Sequence, residues 1–168
     1  MFLEKPVAFA GQEYTYFSLY NYSSYKGYAP SGCSTLTAIF SGDTYEYWKS
    51  KKESGEYKSE KEKFTKLIIN LLEKYLPQTS GKVSVIDVAT PLTYERYCGT
   101  KHGSWMTLME AGDKMINYPA TSENISNLYF AGQRIQPPGG LPIALDTGRK
   151  AVQYLCKDKD LVFQGNIQ

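Results

Sequence analysis

Between residues 59 and 76 the apolar positions Phe64, Leu67, Ile68, Leu71, Leu72 and Tyr75 recur at spacings of three and four, and Pro77 follows them. That period puts them on one stripe of a helix, which the proline stops. An amphipathic helix covering a sheet is expected there. Two other stretches, 13–20 (Glu-Tyr-Thr-Tyr-Phe-Ser-Leu-Tyr) and 34–40 (Ser-Thr-Leu-Thr-Ala-Ile-Phe), are dense in aromatic and β-forming residues, and they predict two neighbouring strands. The stretch between them, 21–32, holds Pro30, Gly27, Gly32 and several serines, which is turn chemistry of a length that suits a functional loop. A short helix is expected over 44–51. Residues 82–90 predict a strand ending at Pro91, because the residue before a proline is pushed out of helical geometry.

From Ser126 the pattern changes to strand, glycine-rich turn and helix: Leu128-Tyr129-Phe130-Ala131-Gly132, then Pro137-Pro138-Gly139-Gly140, then apolar positions through Leu145, Val152 and Leu155. A strand that runs into a glycine turn and a helix start offers backbone N–H groups to an anionic or polar ligand. Glycine lets a flat ring or phosphate approach the backbone, and Pro142 suits a first helical turn, where its missing donor costs nothing. An ordinary strand-to-helix connection has the same features.

Composition narrows the classes. The 168 residues are 42% hydrophobic and 21% charged, the balance of a globular domain with one moderate core. No apolar run is long enough to cross a bilayer, and the start lacks a basic segment followed by an apolar one, so a cytoplasmic location is expected. Nineteen Lys and Arg against seventeen Asp and Glu leave a net charge of +2, which gives no reason to expect nucleic acid as a partner. The run from Lys49 to Lys63 is interspersed with Glu53, Glu56, Glu60 and Glu62 and reads as a solvated face. Cys33, Cys98 and Cys156 are odd in number and widely spaced, so neither a disulfide framework nor a metal site is expected. Fifteen tyrosines fit sheet packing and can also line an apolar cavity. His102, the single histidine, could be drawn with Ser104 or Cys98, but no acidic orienter stands at a recognisable spacing, so no catalytic residue is assigned.

Two ordered blocks carry a family resemblance. Asn127-Leu128-Tyr129-Phe130-Ala131-Gly132-Gln133, followed by Pro137-Pro138-Gly139-Gly140-Leu141-Pro142 and Gly148, resembles the C-terminal flavin-contacting segment of phytoene desaturases, carotenoid isomerases and retinol saturases. Upstream, Thr90-Pro91-Leu92-Thr93-Tyr94-Glu95-Arg96-Tyr97 resembles the segment that leads to a Gly-Ser-aromatic element in that group, matched here by Gly103, Ser104 and Trp105. Residues 29–40 look like the group's substrate-domain strands. Two departures stand out: neutral Gln133 where relatives often carry an acidic residue, and Met106-Thr107 where the Gly-Ser-aromatic element often closes with glycine.

The resemblance implies an FAD-dependent oxidoreductase acting on carbon-carbon bonds of an apolar polyene or isoprenoid. It makes Gly132, Gln133, Gly139, Gly140, Leu141, Pro142 and Ile143 the wall of the flavin and ribityl site, with Gly103, Ser104 and Trp105 beside the isoalloxazine ring. The G-x-G-x-x-G turn that seats the FAD pyrophosphate in such proteins is missing. The expected fold is therefore an α/β, α+β-like fragment. Residues 1–118 form part of a substrate-binding domain, a sheet with covering helices. Residues 119–156 form the strand-turn-helix return of a Rossmann-like FAD domain whose N-terminal half is elsewhere, and 157–168 form a tail. The partners implied are that missing half and an apolar small molecule, and the parent protein could also associate peripherally with a membrane. An amine-oxidase-type flavoprotein fragment and an inactive binding module are the alternatives.

Overall fold

A computed structural model describes residues 1–84, 87–104 and 118–165. The fold mixes helices with small antiparallel sheets, in two compact units divided between Gly103 and Ser104.

The first unit opens with a strand the sequence reading passed over. β1 (Phe2–Phe9) pairs antiparallel with β2 (Gln12–Tyr16), Phe9 opposite Gln12. Their two-residue turn, Ala10-Gly11, has both φ angles positive, at 51° and 74°, the geometry that matches the twist of paired strands. The expected strand over 13–20 breaks at Phe17. Its second half, β3 (Ser18–Asn21), pairs instead with β4 (Leu36–Ile39), Ser18 opposite Ile39. The break has a packing cause: Phe17 is 1% exposed and stacks on Phe40 at 4.8 Å, and its N–H donates to Met1 O rather than to the β3–β4 ladder.

Helices α1 (Tyr45–Glu53) and α2 (Tyr57–Tyr75) agree closely with expectation. The apolar stripe of α2 supplies buried Ile68, Leu71 and Leu72. Phe64 on the same face stacks on Phe9 at 4.7 Å and meets Phe40 edge-on at 5.3 Å. Trp48 of α1 lies 5.9 Å from Phe9 and 5.7 Å from Tyr57. Aromatic side chains of four segments thus make the core, with offset and edge-on arrangements that suit their charge distribution. The Lys49–Lys63 stretch is not uniformly solvated, however. Glu60 lies four residues before Phe64 on the inward face of α2 and is only 4% exposed.

The expected strand over 82–90 is not present at 82–84 or 87–90, and residues 85–86 lie outside the described set. The chain here serves a helix start. Thr90 and Thr93 form a reciprocal capping box for α3 (Pro91–Cys98), with Pro91 in the first turn and left-handed Gly99 at the end. Those signals win because they satisfy the helix's unpaired donors locally, whereas among the described residues no strand pairs with 82–84 or 87–90.

In the second unit, the expected strand at 128–132 is reduced to a single bridge, Thr121 opposite Tyr129, with Phe130 N–H donating to Ala120 O. A strand needs a ladder, and one bridge leaves its remaining donors to turns. α4 (Leu141–Asp158) follows the glycine turn. Beyond it, Leu161 N–H donates to Cys156 O, and the Arg149 guanidinium lies over the Phe163 ring at 5.4 Å.

Candidate functional site

Within the second unit the glycine turn and the strand remnant are joined by one residue that sequence reading missed. Thr147, in the second turn of α4, is 1% exposed. Its Oγ1 accepts the Gly132 N–H at 3.0 Å and lies 2.7 Å from Ile143 O, to which it donates. This bond fixes the Gly132 backbone against the helix that begins nine residues later. A hydroxyl on the inner face of an amphipathic helix was the available signal, since buried hydroxyls are retained where they find partners.

The peptide between Pro137 and Pro138 is cis, and Gly139 and Gly140 follow with φ of 88° and 87°. Those left-handed values favour glycine over any residue with a Cβ. Gly140 is the N-cap of α4, and no side chain caps the helix. Its carbonyl accepts the Ala144 N–H at 3.0 Å. Pro142 carries no N–H, so the first-turn donors are those of Leu141 and Ile143, and exposed Leu141 and Pro142 leave the approach open. Unpaired first-turn amides and the positive end of the helix dipole attract anionic or polar acceptors. Gln133 is exposed, and its amide oxygen can accept from a hydroxyl.

Ser104 belongs to the same unit and has a partner that sequence reading did not identify. Arg134 donates through Nη1 to Ser104 Oγ at 2.7 Å and through Nη2 to Ser104 O at 2.6 Å. The guanidinium fork makes this paired contact natural. Trp105 and the Met106-Thr107 departure lie outside the described residues.

Gly103, in the first unit, has an immediate structural reason to be glycine. With φ of 64°, a Cβ there would stand 2.0 Å from Pro91 O. Its neighbour His102, also left-handed at φ 54°, stacks on Tyr45 with ring centroids 4.6 Å apart. His102 thus packs on a phenol ring, and among the described residues no nucleophile is hydrogen-bonded to it.

Near the far end of α4 an open depression of about 420 Å³ is lined by Thr121, Ser122, Leu128, Tyr129, Tyr154 and Lys157 among others. Tyr129 donates to Asp158 Oδ2 at 2.8 Å across it, and that carboxylate pushes the phenol pKa up. The residues of the Gly132 to Ile143 stretch do not line this depression.

Among the described residues no group of three or more His, Cys, Asp or Glu converges as a metal site, and no helix is long and apolar enough to cross a membrane. The three cysteines are unpaired. Comparison with known protein families, characterised proteins and solved structures finds no match to this chain.

Proposed function

We propose that the chain is the C-terminal portion of an FAD-dependent oxidoreductase that acts on carbon-carbon bonds of an apolar polyene or isoprenoid. The observation that carries this reading is the uncapped start of α4, preceded by left-handed Gly139 and Gly140 and tied through Thr147 to Gly132. These residues fit a flavin in part: Gly139 is buried and Gly140 half-buried, so the donors open to a ligand are those at the positive helix end beside exposed Leu141 and Pro142.

Gly139, Gly140, Leu141 and Ile143 would hold the pyrimidine edge and ribityl chain through backbone amides, with Pro142 shaping the turn. The Gly132 and Gln133 backbone, held in place by Thr147, would form the adjoining wall, with the Gln133 side chain accepting from a ribityl hydroxyl. Ser104, fixed by Arg134, would border the same site. The bound flavin supplies hydride exchange with the substrate carbon, the hard chemistry, while the protein orients it and keeps water away. No side-chain acid or base is assigned to the step.

The rest of the cofactor site belongs, in this proposal, to an N-terminal half of the same protein. Purified by itself, the chain is expected to be colourless. In the full-length protein, Gly140→Glu should remove most of the flavin, because it places a Cβ and a negative charge at a left-handed position beside a negatively charged ring edge. Flavin content unchanged by Gly140→Glu would remove α4 from the site. Stoichiometric flavin in the chain alone would keep the flavin and overturn the missing half.

A further inference from the structure

Two of the six asparagines begin an Asn-x-Ser pattern whose middle residue is not proline: Asn21-Tyr22-Ser23 and Asn124-Ile125-Ser126. That pattern is the acceptor for an N-linked oligosaccharide, and the context that supports it is an asparagine at the surface on a turn. Both positions meet that condition. Asn21 closes β3 where the chain enters the 21–32 loop, and Asn21 and Ser23 are exposed. In the second unit Asn124 lies inside the chain reversal between bridged Thr121 and Tyr129, and Asn124, Ile125 and Ser126 are all exposed.

The hydrogen bonds leave the reacting nitrogen available at each site. Asn21 Oδ1 accepts the Ser23 N–H at 2.9 Å and the Ser34 hydroxyl at 2.9 Å. A backbone N–H can only donate, so the atom facing it is the amide oxygen, and Nδ2 points the other way. At the second site the turn is held by Ser122, whose Oγ accepts the N–H groups of Asn124 and Ile125 at 3.3 and 3.1 Å. The backbone is thus fixed without using the Asn124 side chain. Among the described residues neither Asn21 Nδ2 nor the Asn124 side-chain amide has a hydrogen-bond partner.

From these two turns we infer that Asn21 and Asn124 carry N-linked glycans, in a chain that enters the secretory compartment. The donor is a lipid-pyrophosphate-linked oligosaccharide, brought by a membrane-bound transferase. A bond forms from Nδ2 to the anomeric carbon, the bond from that carbon to the pyrophosphate oxygen breaks, and the Nδ2 proton leaves with the pyrophosphate. Nothing is oxidised or reduced. A leader for entry would stand, in the flavin reading, in the N-terminal half, so the compartment rests on that reading while the acceptor geometry does not. The three cysteines form no disulfide, and a thiol without a partner in bridging geometry stays free in an oxidising compartment too.

The test uses the full-length protein isolated from the cells that make it, treated with a peptide N-glycosidase in heavy-oxygen water. Release of a glycan converts its asparagine to aspartate and marks it with the heavy isotope, so mass spectrometry of the peptides containing Asn21 and Asn124 reads each site directly. Heavy aspartate at both positions is expected, with faster migration on electrophoresis after treatment. In the same cells, Asn21→Gln and Asn124→Gln should each remove one step of the migration shift. Ser126→Ala, which leaves Asn124 in place, should remove the same step as Asn124→Gln, and Ser126→Thr should keep it. Unlabelled asparagine at either position overturns that site, and at both it overturns the inference. A shift that persists in the Asn21→Gln, Asn124→Gln double variant overturns it as well. None of these readouts depends on flavin content, which tests the α4 reading separately.

Discussion

Glu60 sits on the inward face of α2 with its carboxylate accepting from the Tyr47 hydroxyl at 2.6 Å and from Lys63. These two hydrogen bonds hold its pKa below the ordinary carboxylate value. The Lys63 side chain is 67% exposed, so its ion pair is screened and the phenol is the stronger structural partner. Because the native pKa is lowered, the carboxylate stabilises the fold fully above the ordinary range near about 4.3 and loses that contribution as pH falls through the native value. Tyr47 behaves in the opposite sense. Burial, followed by the Glu60 bond, pushes it up to about 12, so its contribution is present below its ordinary value of about 10 and fades as pH rises from there. Glu60→Gln should therefore cost about 1–3 kcal/mol at neutral pH, and the gap from the parent chain should narrow by about pH 3. Urea unfolding at the two pH values measures this. A gap of the same size at both would show that the ionised form of Glu60 contributes nothing.

The helices show how similar apolar patterns have different consequences. On α2 the stripe is buried, with Leu72 at 4% exposure; on α4 Leu141 and Leu145 are 73% and 68% exposed. Leu72→Ala should cost about 2–4 kcal/mol through lost transfer energy and the cavity left behind. Leu145→Ala should stay within about 0.5 kcal/mol, because little is removed from the interior. Denaturant midpoints of the two variants give the comparison, and a Leu145→Ala loss as large as that of Leu72→Ala would mean that the α4 stripe is covered. Start and stop signals were readable in all of these helices. Pro77 ends the α2 stripe, Pro142 sits in the first turn of α4, and Thr90 with Thr93 encloses α3. That last pair is a start signal within the sequence itself, set directly behind a run of β-forming residues that points to a strand.

For the molecule as a whole, the clustering of Phe17, Trp48, Ile68, Leu71 and Leu72 gives the first unit a core of its own. Residues 1–103 expressed alone should therefore unfold in one cooperative transition. Trp48, the only tryptophan in that span and 4% exposed, should show the blue-shifted emission of a buried indole. A broad, non-cooperative transition with water-exposed emission would show that the unit depends on the rest of the chain. What the sequence determined by itself is chiefly local: the periods of α2 and α4, the turn residues at 21–32, and the glycines before α4, each set by the dihedral limits and capping chemistry of a few neighbouring residues. Tertiary structure decided the rest. The strand expected at 13–20 splits because Phe17 turns inward onto Phe40, and the segments 82–84, 87–90 and 128–132 form no strand because strand formation requires a partner from elsewhere in the chain. The same holds for the sites. Gly139 and Gly140 could be read in order along the sequence, whereas Thr147 against Gly132 and Arg134 against Ser104 are pairings across 15 and 30 residues, which only the folded chain brings within hydrogen-bond reach.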